Sequence, residues 1–152
     1  MKSTALACGL LAPALLVPAG AASAHRIHGD AERRVAHQIN HYRAANGRAK
    51  LRISPALSRS ARGWSRRLMR TDRYGHSSQS LASGGWKSRG EVIAIRMSWR
   101  RSARWPLNAW TGSGGHAAVL LHPRFRAIGV GRVAGRFGRR RATIWTVQMG
   151  RR

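Results

Sequence analysis

The chain has 152 residues, 43% of them hydrophobic, and carries 29 Lys and Arg against 4 Asp and Glu, a formal net charge of +25. That length and apolar content suit one domain with a core of its own, needing no covalent staples. A surface this basic attracts anionic polymers: nucleic acid, acidic envelope polymer or lipid headgroups.

Residues 1–24 read as a secretory signal peptide rather than as part of the fold. Lys2 supplies a positive n-region, Ala5 to Val17 an apolar run broken by Pro13, and Ala22-Ser23-Ala24 a small-residue cleavage site. An uncleaved anchor helix is the rival reading, but the run is short and rich in Ala, Gly and Pro. The mature chain would be secreted or periplasmic, with no transmembrane span. It would also have no disulfides, because Cys8 leaves with the leader. Residues 25–30 are expected to be a flexible N-terminus.

Asp30 reads as an N-cap, with Glu32 in the first turn of a helix over 31–45. Val35, Ile39 and Tyr42 give it an apolar face, and Asn46-Gly47 a stop. Ser54-Pro55 is a cap followed by proline at the first helical position, opening a helix to Thr71. Leu57, Ala61, Trp64 and Leu68 form its apolar stripe. Arg59, Arg62, Arg66, Arg70 and Arg73 fall on the opposite face, as a solvated face or a strip for docking an anionic surface.

Residues 74–90 are rich in Gly and Ser and read as loop. Glu91 to Met97 reads as a short strand. A third helix is expected from about Pro106, carrying Leu107 and Trp110. After the glycine-rich break at Thr111 to Gly115, His116 opens a short apolar helix stopped by Pro123. Ala127 to Val133 and Thr143 to Met149 read as strands, joined by a basic turn over Gly135 to Arg141. Helices first and paired strands last argue an α+β fold.

The acids are as informative as the bases. Glu91 is the last of the four, and no carboxylate side chain follows it. It is either an ion-pair acceptor for local arginines or part of a site.

Taken in order, several short motifs carry a family resemblance. They are Asn40-His41-Tyr42-Arg43 with Asn46-Gly47 and Leu51; Leu57 with Ser60-Ala61 and Met69; Gly75-His76-Ser77-Ser78; and Gly90-Glu91-Val92-Ile93-Ala94. Trp110, Ser113, Gly115-His116 and Leu120-Leu121 follow, then Pro123, Phe125 and Ile128-Gly129-Val130-Gly131, and finally Trp145-Thr146 through Gly150. Together they resemble the CAP superfamily (SCP domain), in its bacterial secreted branch, over residues 31–150. The resemblance implies an α-β-α sandwich: a small antiparallel sheet flanked by helices. It also implies a central cleft lined by two histidines and two glutamates, often holding a divalent metal such as zinc or magnesium. Carried over by motif, His76, Glu91 and His116 are three of the four, and the second glutamate falls near Ser113. Val92 stands where the family usually has Asn.

Two imidazoles and one carboxylate would suffice for a zinc site with one position open to water. The same trio could instead be a hydrogen-bonded cluster pinning loop, strand and helix. Trp64, Trp110 and Trp145 read as core. Trp86, Trp99 and Trp105 flank basic residues, with Trp86 expected at the cleft. The expected function is a binding module of the cell envelope or extracellular space, with an anionic envelope polymer or lipid-like ligand as partner and nucleic acid bound only non-specifically. The alternative is a metal-dependent hydrolase using His76, Glu91 and His116.

Overall fold

The computed structural model describes residues 29–77, 85–100 and 102–152. The expected signal peptide and its cleavage site near Ala24, the flexible N-terminus through residue 28, Cys8 and Ser78 lie outside the described residues.

Helix α1 spans Asp30–Ala45. The cap position falls on Gly29, and Asp30 is the first helical residue, paired with Arg33. The acid expected as a cap therefore serves the helix dipole from inside the first turn. Val35 and Ile39 are fully buried and Tyr42 is half-buried. The chain leaves the helix through Gly47, whose φ of 67° suits glycine. A short strand β1, Arg52–Ile53, follows. It is held beside α1 by Asn40, whose side chain donates to the Leu51 carbonyl (2.9 Å) and accepts from the Leu51 N–H (2.7 Å).

Helix α2 spans Pro55–Thr71 and starts as expected, with the Ser54 side chain accepting from the Leu57 N–H. Leu57, Ala61 and Leu68 are buried. Arg59, Arg66 and Arg70 are exposed, but two of the five expected strip arginines leave the strip. Arg62 turns inward to Glu32 at 2.7 Å, a pair in which the glutamate side chain is 7% exposed. Arg73 lies beyond the helix, which ends where Asp72 takes the left-handed conformation.

Strand β2 runs Ser88–Arg96, three residues earlier than expected. Its Gly- and Ser-containing start has little strand propensity alone and is held by pairing to the end of β4. Helix α3 spans Arg104–Thr111 and helix α4 Gly114–Leu120, so His116 sits within its helix rather than opening it. Strands β3 (Ala127–Phe137) and β4 (Arg140–Arg151) form a hairpin whose ladder reaches Phe137↔Arg140. The expected seven-residue basic turn is thus mostly strand, closed by Gly138 at φ 56° and Arg139.

The sheet order is β1-β3-β4-β2. The β3/β4 and β2/β4 pairs are antiparallel, and β1 adds a two-residue parallel edge. Helix α2 covers one face, packing Leu68 with Ile93 and Ile144. Val35 and Ile39 of α1, Trp110 of α3 and Leu120 of α4 cover the other, against Val92, Trp145 and Val147. This is the α-β-α sandwich. The α2 layer is unusually close to the sheet: a Cβ on Gly129 or Gly131 would lie 2.2 Å from helix backbone. One polar group ties the far layer together. Arg43 is fully buried and donates to the carbonyls of Ala49, Leu120 and His122. Two of these receive it at the C-terminal end of α4, where carbonyls lack helical partners. Burial, with Arg126 and Arg48 nearby, lowers its pKa.

Candidate functional site

Helix α2 delivers the chain to the site. After Thr71 it turns at Asp72 (φ 52°), whose carboxylate accepts from the Gly138 N–H of the hairpin tip at 2.6 Å. The segment that follows is pinned by Trp64, whose indole N–H donates to the Gly75 carbonyl at 3.1 Å. That places His76 and Ser77 beside Glu91 on β2.

The Glu91 side chain is 7% exposed, and that of His76 57%. From described residues the carboxylate accepts four hydrogen bonds. Oε1 takes them from His76 Nδ1 (3.1 Å) and the Ser77 N–H (3.0 Å). Oε2 takes them from Ser77 Oγ (2.7 Å) and Gln148 Nε2 (2.9 Å). An ionised carboxylate only accepts, so His76 donates from Nδ1. Glu91 thus orients a histidine, a role carboxylates also play behind metal-binding imidazoles.

His116 is held in a different pair. Its Nδ1 lies 3.0 Å from Ser113 Oγ, three residues back across the first turn of α4. The residue standing where the family's second glutamate falls therefore engages the histidine of its own helix. Among the described residues no group of three or more His, Cys, Asp or Glu side chains is assembled to hold a metal. The expected trio resolves into His76–Glu91 and Ser113–His116. Trp86 makes its ring contacts elsewhere: it is 8% exposed, clusters with Leu57 and Ala127, covers Gly150 and lies under the Arg152 guanidinium at 5.1 Å.

Gln148 is the site residue that sequence reasoning missed. The signal was present, because it is an amide inside the apolar run of β4 and is fully buried. Ser77 is adjacent to His76 in sequence, but its partner proves to be Glu91.

Among the concavities that the described residues form, two involve helices α1, α2 and α3. One, of about 290 Å³, adjoins His76 and is bordered by Trp64, Arg67, Arg73 and Tyr74. A larger groove of about 560 Å³ runs between α1 and α3. Tyr42, Ala45 and Leu107 contribute apolar lining, while Arg104 brings a guanidinium and His41 an imidazole to it. The Gln38 Oε1 beside it is buried with no hydrogen-bond partner among the described residues.

Comparison with known proteins agrees with this fold. A family model described as the cysteine-rich secretory protein family matches residues 36–149. The uncharacterised protein YkwD of Bacillus subtilis is 30% identical over 126 residues, covering 77% of this chain. The chain spans under half of that relative, 46% of its length. Among solved structures, an outer surface protein of Borrelia burgdorferi superposes with a TM-score of 0.69 at 18% identity, over 80% of this chain and 92% of that one. An extracellular protein containing an SCP domain from Bacillus anthracis gives 0.65 at 21% identity, over 80% of this chain and 40% of the other.

Proposed function

Because the chain belongs to the CAP, or cysteine-rich secretory protein, family, we propose that it is an exported binding module of the bacterial envelope that holds a lipid-like, acid-headed ligand. The observation that carries this reading is the groove between α1 and α3. Its volume of about 560 Å³ is in the range of small-molecule sites. An apolar floor of Tyr42 and Leu107 suits an acyl chain, and Arg104 at its border suits an anionic head. The leader-like sequence of residues 1–24 supports export.

Glu91 fits the role of an orienting group better than that of a general base. A general base needs a free lone pair directed at its proton, and the Glu91 oxygens are engaged by four donors.

The test is titration with parinaric acid, a fluorescent fatty acid. Saturable binding is expected, weakened at least roughly tenfold by Ala45→Trp, which obstructs the groove from an exposed position, and unaffected by His116→Ala. Absence of binding to the unsubstituted chain would sink the reading.

A further inference from the structure

Among the described residues the large hydrophobic side chains left exposed are Tyr74, Met97 and Trp99, at 47%, 41% and 48%. All three lie at one end of the sandwich. Asp72, two residues before Tyr74, accepts from Gly138 at the tip of the β3–β4 hairpin. Trp99 donates from its indole to the Gly135 carbonyl of the same hairpin at 2.8 Å. Arg141 stacks over the Trp99 ring at 4.4 Å. Thr143 donates to the Ser98 carbonyl between Met97 and Trp99 at 2.7 Å. The segment is therefore held in place by the hairpin rather than merely near it.

The same end is strongly cationic. Arg136, Arg139, Arg140 and Arg141 are exposed along the hairpin tip, with Arg73 and Arg100 beside them. Its acid is Asp72, engaged with the hairpin; Asp30 and Glu32 are on α1, and Glu91 is buried beside the exposed His76.

We propose that this end docks on an anionic phospholipid surface, with Met97 and Trp99 entering the headgroup boundary and the hairpin arginines bound to phosphates. Guanidinium groups pair bidentately with phosphate. Exposed apolar side chains inside a cationic ring match a surface that is charged outside and apolar beneath. The state of Trp99 distinguishes this partner from a nucleic acid. Its N–H is already bonded and one ring face is covered by Arg141, so it is not an open platform for a base. Met97 offers a polyanion in water nothing but apolar area. The docking end is separate from the α1–α3 groove and does not depend on the groove's having a ligand.

The experiment is co-sedimentation of the chain with vesicles of phosphatidylcholine alone and of phosphatidylcholine with one-quarter phosphatidylglycerol, at about 150 mM salt. Binding to the anionic vesicles alone is expected, with a blue shift of tryptophan emission. Met97→Asp, at an exposed position, should reduce that binding at least roughly tenfold, and Arg139→Glu with Arg140→Glu should abolish it. Equal binding to both vesicle types, or binding that Met97→Asp leaves unchanged, overturns the proposal. So does a single-stranded oligonucleotide that competes vesicles off and binds the Met97→Asp chain equally well, which assigns the end to nucleic acid. Parinaric acid titration of Met97→Asp separates the two surfaces: groove binding should persist there, and its failure in the unsubstituted chain would leave vesicle docking intact.

Discussion

Glu91 is a nearly buried carboxylate enclosed by four hydrogen-bond donors. Its position as the last acid, within Gly90-Glu91-Val92, marked it out. Which groups would meet it depended on Ser77 and on Gln148, fifty-seven residues away across the β2/β4 ladder. Nothing local announces that register. The carboxylate's four donors make it a structural orienter, so Glu91→Gln should destabilise the fold by about 2 kcal/mol, since an amide cannot accept at both positions. Thermal melts would read this directly. Zinc should leave the melting temperature of the unsubstituted chain unchanged, because the two histidines are held in separate pairs. A zinc stabilisation that vanishes in both His76→Ala and His116→Ala would restore a metal centre to the site. Arg62 carries the complementary lesson. Helical spacing placed it on a solvated strip, whereas a single acid thirty residues earlier draws it inward.

Elements were legible where their signals are local. The Ser54-Pro55 start and the Asn46-Gly47 stop fall where expected because caps act within a turn. The early start of β2, the two-residue β1 and the long hairpin ladder were hidden because each exists through pairing with distant chain. The glycines of β3 belong to this class as well. Ala127 to Val133 reads as a strand from its apolar residues, but that its glycines let α2 lie directly on the strand backbone is seen only in the packed layers. Gly131→Ala should therefore cost about 2–3 kcal/mol through forced separation of the layers, whereas Gly63→Ala, with open space around it and in a helix, should stabilise slightly. Denaturant midpoints of the two variants, compared at equal slope, would check the contrast.

At the scale of the molecule, each of the four side-chain carboxylates has an internal partner: Arg33 for Asp30, Arg62 for Glu32, the Gly138 N–H for Asp72, and the His76 and Ser77 cluster for Glu91. At 4 against 29 Lys and Arg, they offset little of the basic surface. Between the carboxylate and arginine ranges, histidine side chains are the main groups that change charge, and protonation only adds to the excess. Retention on a polyanion such as heparin should therefore vary little between about pH 7 and 9, while falling steeply as salt rises from roughly 50 to 500 mM. Elution profiles at several pH values would test this. Such a molecule has no acid in reserve with which to loosen its own hold on an anionic surface, so its release is left to the surroundings, to the ions in the medium and to the density of charge on whatever it meets.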